Sequence, residues 1–542
     1  MTRAGSAAAA LLALALSAAA PAETVEGEQL VFGSFRSEEN ARRWAAELEH
    51  GLGREIRSER VYRDDGVWYR VRTAPLGAEE RRAVEAVAAE RGLSFWVVRG
   101  RFDEPDTLTS SARAPAAAAA PAAAVVTTGS ARTAEPGPVA AAAPPESRED
   151  DAAARSETYL DVGLQTRSYA ERGLDGQDRF QPSVSLRLEY HRAWDDGRQS
   201  LTVTPFVRID QDDRERTHAD LRELFWTRVG DGWELHVGAR QLFWGVTEFN
   251  HLIDIVNQTD LVENIDGEDK LGQPMVQLSL LRSWGTVDLI AMSGFRERTF
   301  PGPDGRLRTP VEVDTDRARY ESGAGRGRVD GVIRWSHYLG PLSVGVYHFS
   351  GTGRDPQFAL DLSGGEAVLI PEYHVIDQTG LDAQLLVGDW AWKLEALRRS
   401  GHGDRYHAFT AGFERTLVGV LGSRTDLGLV VEYMYDQRDE AAFDTLFEHD
   451  LALGGRWRLN DAADTTALAG VIWDVETDEY VVTLEANRRL GPSWLAVLEA
   501  RVFAGTEPLT GAAALAELLD GDSKSGFLQQ DDFIQLELTR YF

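Results

Sequence analysis

The stretch of this chain richest in chemistry runs from Arg240 to Lys270. It carries Arg240, Trp244, Glu248, Asp254 and Asp260, then Glu263, Asp266, Glu268, Asp269 and Lys270. Between them stand Phe243, Phe249, Leu252, Ile253, Ile255 and Val256. A connection needs that many apolar side chains only if it packs on something, since apolar surface left in water gains nothing. Carboxylates held beside a few cations at such a place make no bonds. They set a field that favours some charged solutes over others. Arg240, Trp244, Glu248, Asp254 and Asp260 are the residues expected to form that constriction. The plainer alternative is an external loop with a short amphipathic helix.

Bond-making chemistry has less support. The chain has no cysteine, which excludes disulfides, thiolate metal sites and a cysteine nucleophile. None of its 11 histidines sits at a spacing that suggests a metal or a nucleophile–base pair. His402 and His407 near Asp404 make at most a rim pair for an outer-membrane hydrolase. No cofactor or metal is implied, and an enzyme is not expected. A net charge of −30 argues against nucleic acid as a partner, because phosphate binding needs basic surface.

A constriction needs a wall. From Ser156 to Phe542 the chain contains about eighteen short segments that alternate apolar and polar residues. In the last, Ile534, Leu536 and Leu538 fall on one face and Gln535, Glu537 and Thr539 on the other. A period of two is a strand with one greasy and one wet side. Repeated to this extent, it predicts a large transmembrane antiparallel barrel, mainly β, with lipid outside and water inside. Connections alternate too: tight ones such as Asp195-Asp196-Gly197 and Gly491-Pro492, long polar ones at 296–328, 351–373, 436–448 and 504–529. No helices are expected here, and Pro182 and Pro205 count against the segments that hold them. Inward carboxylates (Asp161, Asp210, Glu432, Glu485, Glu537) and arginines (Arg208, Arg222, Arg240, Arg334, Arg456) are expected to face one another across the lumen. The closing Phe542, with apolar residues at even steps before it, resembles the C-terminal signal of bacterial outer-membrane barrels. The stretch after Arg240 resembles porin-type constriction loops, which implies passage of small solutes or ions. Outer-membrane lipid is then a partner, and a homo-oligomer is compatible with such a barrel.

The chain before the barrel is of three kinds. Residues 1–22 have a basic start, an alanine-rich apolar centre and the small-residue end Ala20-Pro21-Ala22, the layout of a secretory signal peptide. Residues 27–103 read as a small βαββαβ, ferredoxin-like unit, with strand pairs turned at Asp64-Asp65-Gly66 and helices near Ala41–Leu52 and Ala78–Arg91. Residues 104–155 are alanine runs broken by proline, a tether that spans on the order of 40 Å as a coil.

Two stretches of the small unit carry a likeness: Val31-Phe32-Gly33-Ser34-Phe35 with the residues following it, and Trp68-Tyr69-Arg70-Val71-Arg72 up to Leu76. They resemble the signature stretches of the SPOR domain, a family that binds peptidoglycan glycan strands. Val31 stands where the family has a glutamine, and Ala74 where it has a glycine. The resemblance implies glycan contacts at Ser34 and Arg70. Trp68 joins them on physical grounds, since aromatic rings pack on the apolar faces of sugars. The whole is expected to be a porin-like channel tied to the cell wall, its N-terminal unit in the periplasm. Its alternative is a structural linker with a non-conducting barrel.

Overall fold

The computed structural model describes residues 24–35, 52–63 and 96–103, much of what lies between them, and 155–542 apart from a few short breaks. The expected signal peptide and the tether up to residue 154 lie outside the described residues, as do Ser37, the Asp64-Asp65 turn, His402 and 439–446.

In the N-terminal unit, β1 (Thr24–Phe35), β2 (Ile56–Arg63), β3 (Gly66–Thr73) and β4 (Trp96–Asp103) form one antiparallel sheet in the order β2-β3-β1-β4. That order is the ferredoxin-like one the sequence suggests, with β1 and β4 longer than the alternation alone predicts. The β1–β3 register shifts between Val31 and Gly33. There the Leu30 amide donates to the buried Thr73 hydroxyl at 3.0 Å. The unit's core joins Leu30, Ile56 and Val71 of the sheet to Ala45, Leu48, Leu52 and Val84 from the helical segments.

The rest of the chain closes on itself. The strands are β5 (Arg155–Tyr169), β6 (Phe180–Trp194), β7 (Gln199–Asp210), β8 (His218–Gly230) and β9 (Trp233–Arg240). Next come β10 (Gln273–Arg282), β11 (Gly285–Met292), the short β12 (Glu312–Val313) and β13 (Arg319–Tyr320), β14 (Asp330–Leu339) and β15 (Leu342–Thr352). Then follow β16 (Gln357–Asp361), β17 (Val368–Tyr373), β18 (Val375–Val387), β19 (Trp390–Ser400) and β20 (Tyr406–Leu417). The last are β21 (Asp426–Asp436), β22 (His449–Arg458), β23 (Thr466–Asp474), β24 (Tyr480–Arg489), β25 (Trp494–Ala504) and β26 (Phe533–Tyr541). All but β12, β13, β16 and β17 belong to one closed antiparallel barrel of eighteen strands, sealed where β26 pairs with β5.

Its layering is inverted relative to a water-soluble protein. On β26, Ile534 and Leu536 are 58% and 42% exposed while Gln535 and Thr539 are 5% and 9% exposed. The same holds round the ring, with Val184, Val207, Leu289, Ile333, Leu453 and Val482 outside and Ser183, Arg208, Gln277, Glu395 and Thr483 inside. An apolar exterior without a covering layer is the surface of a membrane-spanning barrel. The tight turns gather at one end. At Asp195-Asp196-Gly197 all three φ angles are positive (57°, 53° and 78°), the mirror-image turn that matches strand twist. At this end Arg540 lies over the rings of Trp494 and Phe542, at 5.6 and 4.6 Å.

Pro182 and Pro205 both lie within strands, as the alternation of their segments predicts; at Pro205, which has no N–H to donate, the β7–β8 register shifts. Two sequence expectations need correction. The long connection before β26 holds a helix, α1 (Gly511–Asp520). The connections 296–328 and 351–373 are not loose, because β12, β13, β16 and β17 form a sheet of their own. Buried Leu369 from that sheet packs with Tyr169, Leu307, Phe503, Phe527 and Phe533, so several long connections meet at the loop end.

Candidate functional site

The connection from β9 to β10 does not leave the barrel. Asn257 ties its two ends together: its side-chain amide donates to the carbonyls of Arg240 (2.7 Å) and Leu271 (2.8 Å), and its carbonyl accepts from the Leu242 amide (2.8 Å). From this root the chain crosses the lumen. Counted from the β9–β10 gap, β22 and β23 are each the ninth strand, one in either direction, so they stand opposite the root. Phe249 reaches them. Gly454 of β22 and Gly470 of β23 are direct partners across the ladder. A Cβ built on Gly454 would lie 2.6 Å from the Phe249 ring, and one on Gly470 2.7 Å from it. The two glycines make a notch that only a bare backbone leaves open. The connection is therefore a strap across the full width of the barrel.

Residues 242–256 form the outgoing arm. Leu242, Ile253, Ile255 and Val256 pack on inward apolar residues, among them Met275, Met292, Val332, Tyr347 and Phe349. Beyond them the wall offers carboxylates. Glu395 accepts from the amides of Val246 (2.6 Å), Thr247 (2.9 Å) and Ile253 (3.2 Å) and from the Thr247 hydroxyl (2.6 Å). Glu432 accepts from the amides of Glu248 (2.8 Å) and Phe249 (2.9 Å). Such charge-assisted bonds satisfy backbone donors that a buried strap would otherwise leave bare.

The return arm, 258–270, reverses the roles. Asp260 pairs with Arg222 at 2.6 Å and Glu263 with Arg208 at 2.8 Å. Asp266 pairs with Arg501 at 3.0 Å, and the Asn264 amide donates to Glu499 at 3.1 Å. Burial alone would raise the Glu263 carboxyl, but Arg208, Arg216 and Arg222 outweigh it and hold it down at about 2. His251 and Glu268, 3.8 Å apart, link the two arms.

The five expected constriction residues all lie on the strap or at its root, but they do not converge. Arg240 donates to Gln277 at 2.6 Å beside the root. Trp244 donates its amide to Asp254 at 3.0 Å, while its ring lies 5.2 Å from Tyr347 and under the Arg334 guanidinium. Glu248, buried near the far wall, pairs with Arg456 and lies 3.6 Å from Lys393. Asp260, fully buried, is on the other arm. They are spread along a diametral strap, with Glu248 and Asp260 engaged in holding it in place. The inward charges expected from the sequence do face the lumen, but the named groups do not sort into two opposed walls: Asp161 and Asp210 share the side of Arg208 and Arg222, and Glu432 on β21 is the named carboxylate that stands opposite Arg222 on β8. Glu432, expected to bias ion passage, is occupied by strap amides. Sequence reasoning missed Glu395, Asn257 and the paired glycines; the doublet Gly454-Gly455 inside a strand was the one available signal.

In the N-terminal sheet, Ser34 and Arg70 are direct partners across the β1–β3 ladder, with Trp68 two residues along β3. Buried Val71 and Thr73 alternate with half-buried Arg70 and Arg72, so these arginines belong to the face away from the core. Of the rim pair, His407 is exposed on β20, its ring 5.8 Å from Tyr435. Among the described residues no three His, Cys, Asp or Glu are grouped to hold a metal.

These features define a class: a membrane-spanning β-barrel of eighteen strands whose lumen is bridged by an inward strap. The N-terminal unit has its own kinship, since residues 30–99 match the family model of the SPOR domain. No curated protein matches the chain significantly. Solved structures similar to it include Pseudomonas aeruginosa OccK3 (OpdO), at 11% identity and TM-score 0.42 over 71% of this chain and 95% of that one. OccD3 (OpdP) of the same organism has 9% identity and TM-score 0.43, covering 71% of this chain and 90% of its own. OccK5 (OpdH) has 10% identity and TM-score 0.41, covering 71% and 97%.

Proposed function

We propose that this chain is a porin-like outer-membrane channel tethered to the cell wall, with small solutes or ions passing beside the strap. The carrying observation is the closed barrel, apolar outside and polar inside, crossed by one strap at its full width. The N-terminal SPOR domain lies in the periplasm and holds glycan strands on the face of Ser34, Trp68 and Arg70. The strap supplies the constriction through Arg240, Trp244, Glu248, Asp254 and Asp260. Planar-bilayer conductance of the full chain tests the channel, with a variant lacking 243–256 as comparison. Steady current that rises in the shortened variant is expected, and no current from either would sink the pore. Recovery on purified sacculi tests the tether, with Arg70→Ala expected to lose most binding; equal recovery would remove that contact.

A second reading has its own support. Both arms of the strap are bonded to the wall and several outer connections meet at the loop end, as suits a barrel that serves as an anchor rather than a passage. Sacculus binding without conductance would favour it. Hydrolysis is the weakest reading, and unchanged lipid or peptide turnover in His407→Ala would remove it.

A further inference from the structure

The outer wall of the barrel is not uniform. Near the loop end most of it is apolar, with Phe180, Ile209, Trp473, Val502 and Ile534 exposed. One sector differs. His348 on β15 pairs across the ladder with Thr379 on β18, Thr379 with Arg398 on β19, and Arg398 with His407 on β20. All four are exposed and alternate with buried inward neighbours such as Tyr347, Gln378 and Arg399. They therefore form one polar row on the lipid side. Thr379 and His348 are hydrogen-bonded at 2.9 Å, and among the described residues Arg398 has no carboxylate paired with it. One row nearer the loops stand Ser350, Asp377 and Ser400. Beside the row a shallow outer groove of about 460 Å³ runs over Leu289, Ala291, Gly331 and Ile333 and ends at His348 and Ser350.

We propose that this sector binds an anionic, phosphate-bearing lipid of the outer leaflet. Its headgroup lies on the row His348, Thr379, Arg398 and His407, and an acyl chain lies in the groove floored by Ala291 and Gly331. An arginine facing hydrocarbon costs about 2–4 kcal/mol at mid-membrane but little near the interface, so its place at the loop end puts it at headgroup depth. Guanidinium matches phosphate in two parallel hydrogen bonds, and hydroxyl and imidazole groups add donors beside it. The row covers three strand spacings, on the order of 14 Å, which suits a headgroup with more than one phosphate. Asp377 stands on the loopward side of the row, and Asp404 lies in the connection just before His407. The inference rests on the outer-membrane reading for its orientation, but not on conduction.

The test is lipid retention by the full chain, exchanged through detergent containing either a bis-phosphorylated glycolipid or phosphatidylcholine and weighed by native mass spectrometry. The wild type is expected to keep the glycolipid and shed phosphatidylcholine. Arg398→Gln should lower retention about tenfold or more, the worth of a charged hydrogen bond. Gly331→Leu should lower it too, by filling the groove; a Cβ there meets nothing nearer than the Ile290 carbonyl at 3.9 Å, so the strand tolerates it. Equal retention by all three chains would overturn the proposal. So would a wild-type dimer, lipid-free, that Arg398→Gln converts to monomer, since a second copy would then own the sector. Bilayer current is recorded in parallel: its absence in every chain counts against the channel alone, because retention is read without it.

Discussion

In the outgoing arm of the strap the wall supplies carboxylates and the strap supplies backbone amides; in the return arm the strap supplies carboxylates and the wall supplies guanidinium groups. The first arrangement depends little on strap side chains, because any residue but proline offers an N–H to Glu395 or Glu432. Its side chains add apolar packing along the arm, the pairing of Glu248 with Arg456 and, at the tip, the seat of Phe249 in the notch of Gly454 and Gly470. The second arrangement depends on named acids, Asp260, Glu263 and Asp266, each placed on one arginine. The outgoing arm is thus located chiefly through its backbone and the shape of its tip, and the return arm through the charges of its own side chains.

That difference predicts the largest effect for Gly454→Leu. The new side chain must displace Phe249, and the tip loses its seat while the ion pairs of the return arm persist. Single-channel current is expected to rise severalfold, and chymotrypsin should gain access at Phe249. Phe249→Ala should act in the same direction and lower stability by about 3–5 kcal/mol if the site does not collapse. Unchanged current in both would mean that the notch does not position the strap.

Arg208→Ala comes next. It leaves Glu263 buried without its main partner, a change that costs about 3–5 kcal/mol. Denaturant unfolding in detergent measures it, and adding Glu263→Gln should recover part of the loss. Current should change less than in Gly454→Leu, since the tip stays seated. A larger rise in current than with Gly454→Leu would reverse the roles given to the arms. Glu395→Gln is expected to have a smaller effect, about 1.5–3 kcal/mol, as a neutral acceptor replaces a charged one at several amides.

How much of this was legible beforehand follows from where each signal lies in the chain. The barrel was readable because each strand announces itself within about ten residues, by alternation and a turn, and β26 did so most plainly. The inward course of the strap was readable from its own apolar residues, such as Ile253 and Val256. What holds it was not. Phe249 and its notch are some two hundred residues apart, and nothing near Gly454 or Gly470 says which side chain fills the space. Glu432 read as a lumen charge because alternation gives the face of a residue and not its partner. The helix α1 and the small sheet of β12, β13, β16 and β17 were missed because each is short and depends on neighbouring connections for its packing. In the N-terminal unit the reverse held: Ser34 and Arg70 were named from their motif, and the β1–β3 register then set them side by side.

The mildest perturbation that separates the arms is acid, applied from outside to the intact barrel. Glu263 is held at about 2, below its usual range, by Arg208, Arg216 and Arg222 acting against burial. A carboxylate depressed in the folded state stabilises fully above its unfolded value, about 4.3, and loses that contribution as pH falls through the folded value. The return arm should therefore be intact at pH 5 and begin to loosen between about 4 and 2. Current noise recorded across that window should grow in the wild type. In Glu263→Gln, which has no such proton to bind, the growth attributable to this site should vanish, and the stability difference between the two chains should shrink as pH falls. Identical pH profiles for both would show that the return arm is held by its other ion pairs, and the charge-located half of the comparison would then rest on Asp260 with Arg222.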